Sequence, residues 1–174
     1  MIRQLKLSLI FSVVGIALLG TLLMGVQTLD ADDADGSAAA TEQDPLDGLK
    51  CFIMKKKDVK GKKGPKVMDF NGGKLYLCCK SCIRRVEKKP EKYEAKANHQ
   101  MVYTGQFVQE LCPLSGEKIG ADAPTLDIQG VEAKFANQAE LDKVKDLDVD
   151  EQIEKVFGKD GFKVGKFKLV KVGV

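Results

Sequence analysis

An internal repeat constrains this chain more than any other feature. The segment VMDFNGGKLYLCCKSCIRRV (67–86) lies over TLDIQGVEAKFANQAELDKV (125–144) at a constant offset of 58, without a gap. Asp69 meets Asp127, Phe70 meets Ile128, and Gly72 meets Gly130. Further on, Leu77 meets Phe135, Ile83 meets Leu141, and Val86 meets Val144. Upstream, CFIM (51–54) meets CPLS (112–115), with three fewer residues in the second intervening loop. A shared polarity pattern, a shared turn glycine and a shared leading cysteine point to one small unit folded twice.

Each copy reads the same way. A leading cysteine and a loop precede a short strand, VMDF or TLDI. The turn NGG or QG suits a tight hairpin, because such turns need residues that tolerate positive φ. A second strand follows, KLYLC or EAKFA, and then a helix. Its apolar face is Ile83, Val86 and Tyr93 in one copy and Leu141, Val144 and Leu147 in the other. Pro90, in KKPEKY, marks a helix restart at its first turn. Between the copies, ANHQMVYTGQFVQEL (97–111) alternates apolar and polar residues at Met101, Tyr103 and Phe107 and reads as a strand or hairpin. The tail GFKVGKFKLVKVGV (161–174) alternates similarly and reads as ending in a strand. The expected fold class is α+β: two small tandem ββα units of zinc-ribbon or treble-clef character, at 49–108 and 109–174.

The N-terminal 48 residues are of a different kind. MIRQLK carries two positive charges, and Leu7 to Val26 carries none. Twenty helical residues rise about 30 Å, the hydrocarbon thickness of a bilayer. Residues 1–26 therefore read as a transmembrane anchor or a signal peptide. Positive charge before the segment and acids after it place the N-terminus in the cytoplasm and the rest outside it, in a periplasmic or equivalent compartment. A signal peptide normally has a shorter apolar core, about 7–15 residues, and a small-residue cleavage site close behind. The nearest such pattern here is SAAA at 37–40, so secretion after cleavage stands as the alternative to anchoring. Residues 27–48 hold seven acids and no base, are rich in Ala, Gly and Ser, and lack periodicity. They read as a disordered acidic linker.

Charge then reverses. Residues 49–100 carry 16 Lys and Arg against 5 acids, whereas 101–174 carry 10 against 13. The basic block is also the cysteine-rich one. Cys78, Cys79 and Cys82 fall within five positions at the end of an apolar strand, and Cys51 lies 27 residues before Cys78. A hairpin can return such a distant sulfur to a knuckle at the start of the next helix, as small zinc-binding units do. The helix N-terminus and the nearby Lys74, Lys80, Arg84 and Arg85 favour thiolates there. A unit of about 50 residues also gains from a metal cross-link, because its own core is marginal.

The run CFIM…DFNGGKLYLCCKSCIRRVEKKPEKY resembles the YHS/TRASH group of small metal-binding domains. That pattern has a leading Cys, a hairpin ending in an aromatic-Cys(-Cys) run, a Cys three or four residues on, and a K-x-P-E-K-Y-like helix. The resemblance covers residues 49–96 well and 110–157 only as pattern. It implies binding of copper or zinc, in metal trafficking, sensing or resistance. By position it makes Cys51, Cys78 and Cys82 metal ligands, with Cys79 as an alternate or fourth. In the second copy Cys112 survives, but Ala136, Asn137 and Glu140 stand where Cys78, Cys79 and Cys82 would be. That copy is expected to keep the fold and lose the ligand set.

Thiolates suit Cu(I) and Zn(II) alike. Met54 reads as core filler, with thioether ligation as the alternative. His99, the only histidine, lies outside the repeat pattern and reads as a surface or linker residue. Other uses of the sulfurs stay open. They include a structural disulfide from Cys51 to Cys112 or to one of the trio, a C-x-x-C redox pair, and inert buried thiols. Five cysteines cannot all pair. The run KKKDVKGKKGPK (55–66) reads as a solvated loop or a patch for anionic surfaces. Nucleic acid is not an expected partner of a translocated domain. The expected partners are a metal ion, the membrane through residues 7–26, and a protein of the envelope. No catalytic constellation is apparent, and one histidine leaves most hydrolytic chemistries without their usual base. A non-enzymatic binder is the expectation, with an envelope interaction module of structural cysteines as the rival.

Overall fold

Two hairpins set the architecture. The computed structural model describes residues 44–170. The anchor or signal segment (1–26), linker residues 27–43 and tail residues 171–174 lie outside the described residues. In the first hairpin, β1 (Lys66–Phe70) pairs antiparallel with β2 (Gly73–Leu77). Phe70 faces Gly73 across a two-residue turn in which Asn71 and Gly72 have φ of 46° and 85°. Positive φ at both central residues gives the turn whose twist matches the strands. The chain then forms α1 (Lys80–Lys88) and α2 (Pro90–Tyr103), with Pro90 in the first turn as expected.

After a two-residue strand, β3 (Phe107–Val108), the pattern returns. Strand β4 (Thr125–Ile128) pairs with β5 (Val131–Lys134), in the register expected from the offset of 58. Gln129 and Gly130 repeat the turn with φ of 51° and 82°. Helices α3 (Gln138–Asp142), α4 (Val149–Phe157) and α5 (Lys159–Val164) follow, and β6 (Lys168–Leu169) closes the described chain by pairing with β3. The fold is mixed α/β, with three two-stranded sheets and five helices among the described residues. No helix among these residues is long and apolar enough to cross a membrane.

Four sequence expectations need correction. Residues 97–103 are helical, not a strand or hairpin. The buried face of α2 is Ala97, Asn98, Met101 and then Thr104, at helical spacing, with Gln100 also buried. Polar members hid that period from a count of apolar residues. Each finds a partner: Asn98 donates to the Phe157 carbonyl at 2.9 Å, and Gln100 bonds both backbone groups of Tyr76. The tail is helical over Lys159–Val164 before its short strand, and Phe162 of that helix stacks flat on Phe167 with ring centres 4.7 Å apart. The second copy holds an unforeseen helix, α4, which starts at a reciprocal cap between Asp148 and Glu151 and buries Ile153, Val156 and Phe157. Finally, the linker's end is structured from Asp44: Lys60 pairs with Asp44 at 2.7 Å and with Asp47.

The two copies share one core around α2. Met101 and Phe107 crowd Gly73 of the first hairpin, and a side chain at Gly130 would strike the Tyr103 ring. Strand edges are sealed by glutamines. Gln100 bonds the N–H and C=O of Tyr76 (2.8 and 2.9 Å), and Gln106 those of Lys74 (2.7 and 2.8 Å). Gln109 does the same for Lys134 (3.0 and 2.6 Å), the residue equivalent to Tyr76. A side-chain amide carries both N–H donors and a carbonyl acceptor, so it can satisfy the N–H and the C=O of one edge residue as a neighbouring strand would.

Candidate metal centre

Cys51 lies in a tight loop whose two sides bridge at Lys50 and Asp58. Its N–H donates to the Lys57 carbonyl at 2.8 Å, and the Lys57 N–H to Met54 at 2.7 Å. This closure turns the sulfur inward, where it is fully buried. Burial alone would raise its pKa, but the backbone N–H groups of Cys78, Met54 and Ile53 outweigh that and hold it below the usual thiol value. A buried sulfur in a ring of amide donors is prepared to carry negative charge.

The other sulfurs come from the junction of β2 and α1. Cys78 follows the last residue of β2, Cys79 is the N-cap of α1, and Cys82 lies one turn in. The first turn of α1 holds no acidic residue to compete for the positive end of the helix. Cys51, Cys78 and Cys82 place their sulfurs within 4.8 Å of one another. Cys82 is the hub, 3.9 Å from Cys51, 3.8 Å from Cys78 and 3.4 Å from Cys79. Two sulfurs that share one tetrahedral ion, each about 2.3 Å from it, stand about 3.8 Å apart. The trio therefore has the spacing of a ligand set.

Protonation divides the cluster. Burial and the neighbouring sulfurs push Cys82 far up, and burial with Cys51 beside it raises Cys78. Cys79, at the surface, is pulled down to about 6 by the Ser81 hydroxyl 3.0 Å away, and by the Cys82 amide. Without metal, Cys78 and Cys82 hold protons that an ion must displace.

Of the four sequence-predicted ligands, the structure brings Cys51, Cys78 and Cys82 together and leaves Cys79 at their outer edge. All five cysteines are free thiols. Met54 is not core filler: it is 37% exposed, because its loop turns the backbone, not the side chain, toward the sulfur. His99 is not a surface residue. It reaches from α2 to the second hairpin and α4, with its ring nitrogen 2.7 Å from the Ile128 carbonyl and its ring edge-on to Phe157. No sequence signal marked the amide ring around Cys51, because backbone N–H groups carry no residue identity.

The second copy repeats this frame with the leading sulfur, Cys112, but without the three at the hairpin–helix junction. The Cys112 N–H donates to Glu117 at 2.9 Å, and the Cys112 sulfur, also buried, is held low by the Ser115 hydroxyl and the amides of Ala136, Ser115 and Leu114 against the effect of burial. Those three amides are the counterparts of Cys78, Met54 and Ile53. Asn137, in the place of Cys79, caps α3 by accepting the Glu140 N–H at 3.0 Å. Glu140, in the place of Cys82, keeps one carboxylate oxygen on Lys143 at 2.8 Å and buries the other without a partner.

Set against family models, curated proteins and solved structures, the chain matches none.

Proposed function

We propose that this chain is a non-enzymatic heavy-metal-binding protein, held outside the cytoplasm by residues 7–26 and acting in metal trafficking or resistance. One working site lies in the first ββα unit, which is of treble-clef or zinc-ribbon character, and the second unit is its degenerate copy. The observation that carries this reading is the convergence of Cys51, Cys78 and Cys82 at one point from distant parts of the chain. The YHS/TRASH resemblance of residues 49–96 agrees with it, as does the basic surround that offsets a polythiolate. Zn(II) and Cu(I) both suit such a set.

The test is the metal content of the full chain purified from its native envelope. Retention of about one Zn or Cu per chain is expected, lost in Cys51→Ser and in Cys82→Ser. A metal-free protein that also takes up neither ion on reconstitution overturns the reading. A thiol-redox role is the second reading, favoured by the half-buried, acid-shifted Cys79 at 3.4 Å from Cys82. It requires a Cys79–Cys82 disulfide in the isolated protein, leaving three of the five thiols titratable under denaturing, non-reducing conditions.

A further inference from the structure

Cys79 stands apart from the trio in two respects. It is the sulfur most open to solvent, and it is the nearest to the hub, 3.4 Å from Cys82. The sulfurs thus form a file from surface to core: Cys79, then Cys82, then buried Cys51 at 3.9 Å, with Cys78 at 3.8 Å on the flank. Each step is shorter than, or close to, the separation of about 3.8 Å between two sulfurs on one ion. Cys78, for its part, borders a surface hollow of about 510 Å³ whose lining includes Lys57, Lys62, Lys63 and the single carboxylate of Asp58. These three lysines form no ion pair among the described residues. Nearby acids are already engaged: Asp58 with Lys50 at 2.6 Å, and Asp44 and Asp47 with Lys60. With three lysines against one carboxylate, the hollow carries net positive charge beside the sulfurs.

Building on the metal reading, we infer that the ion enters through Cys79 as a transient exchange ligand, delivered by an anionic low-molecular-weight metal–thiolate complex that the lysine-rimmed hollow holds beside Cys78. The chemistry is ligand exchange without change of oxidation state. The Cys79 sulfur bonds the ion as one donor thiolate leaves, and any Cys79 proton passes to that thiolate. Cys82 then bonds the ion and releases its thiol proton to water. Bonds to Cys78 and Cys51 form, each thiol that still holds a proton releasing it to water, as the remaining donor thiolate and Cys79 depart. Throughout, the ion keeps at least two sulfurs.

The test follows entry of Cu(I) or Zn(II), whichever the wild-type chain retains, into the full-length protein. The ion is presented as its glutathione complex, and uptake is read by the thiolate-to-metal absorption in stopped flow. For Cys79→Ser, entry about tenfold slower or more is expected, with final affinity within about threefold of wild type. The double variant Lys62→Glu/Lys63→Glu is expected to slow entry about tenfold at low ionic strength, the difference fading toward 1 M salt, where the screening length is about 3 Å. A Cys79→Ser protein that loads at the wild-type rate, or whose affinity falls in step with its rate, overturns the exchange role. The second outcome would make Cys79 a permanent ligand. A wild-type rate in the lysine variant removes the anionic donor. Failure of the wild-type chain to take up either ion overturns the metal reading itself, and this inference with it.

Discussion

The Cys51 sulfur stands 3.9 Å from that of Cys82, although 31 residues of chain separate them. The closure has a simple cause. The Asn71–Gly72 turn reverses the chain, so β2 runs back beside β1 and delivers the start of α1 to the loop that carries Cys51. The amides of Ile53 and Met54 fix the buried sulfur from one side and that of Cys78 from the other. The pocket for negative charge therefore spans both ends of the unit and exists only when the hairpin is formed.

That dependence makes metal a folding ligand. Bound ion is expected to raise stability by about 2.7 kcal/mol at a free concentration one hundred times its dissociation constant. Thermal unfolding of the full chain, with and without added Zn(II) or Cu(I), checks this. The metal-dependent rise should vanish in Cys51→Ser, which removes the inner sulfur, and on adding a strong chelator. A midpoint indifferent to both ions would contradict it.

The glutamine clamps give a prediction independent of metal. Gln100 is buried and satisfies both backbone groups of Tyr76. Gln100→Ala leaves one N–H and one C=O without partners beside the core, and about 2–4 kcal/mol of stability is expected to be lost. Gln106 lies nearer the surface, where water replaces lost bonds, so Gln106→Ala should cost less, about 1 kcal/mol. Urea unfolding of the metal-free protein measures both. Equal, small losses would show that the edges need no sealing.

Much of this was legible in the sequence, and the rest was not, for definite reasons. Both hairpins and their turns could be read because Asn71–Gly72 and Gln129–Gly130 sit between runs of alternating polarity, and the second copy corroborates the first. The cysteine cluster was legible because C-C-x-x-C at a helix start is rare by chance. The second half of α2, from Ala97, was missed because its buried face includes Asn98 and Gln100, whose roles depend on Phe157 and Tyr76 elsewhere in the chain. Helix α4 does carry a local signal, Asp148 and Glu151 at capping-box spacing before Ile153, Val156 and Phe157, but it lies beyond Val144, where the gapless repeat ends, and so the repeat does not mark it. His99 had no local signal at all: its partner carbonyl, Ile128, belongs to the other copy.

His99 also sets a pH dependence. Burial lowers its pKa below the ordinary 6.5, while the Ile128 carbonyl and Asp127 pull weakly the other way. The unfolded chain therefore takes up the proton at a higher pH than the folded one. Stability is full above about pH 6.5 and declines as pH falls from there toward the depressed folded pKa. Chemical unfolding at pH 7.5 and pH 5.5 should show the decline. His99→Gln, which keeps a polar group for Ile128 but does not titrate, should flatten it over this range. The same slope in that variant would assign the acid sensitivity to other groups.

The second copy supplies the sharpest test of the frame around the sulfurs. Cys112 is already buried and ringed by the amides of Leu114, Ser115 and Ala136, as Cys51 is by their counterparts. Its missing partners fall at Ala136 and Glu140, on a hairpin in the same register as the first and a helix capped at the equivalent residue. If position alone makes the site, Ala136→Cys with Glu140→Cys should restore a three-sulfur set. It should also replace a carboxylate oxygen that is buried without a partner. The double variant is expected to bind about two ions per chain where the parent binds about one, the second being lost again when Cys112→Ser is added. Metal analysis after equilibrium dialysis gives the count. A double variant that folds, exposes two additional titratable thiols and still holds a single ion would show that three sulfurs on this frame do not suffice. The capacity of the first copy would then lie in something the second lacks, with Cys79 the first residue to examine, since Asn137 has taken its place.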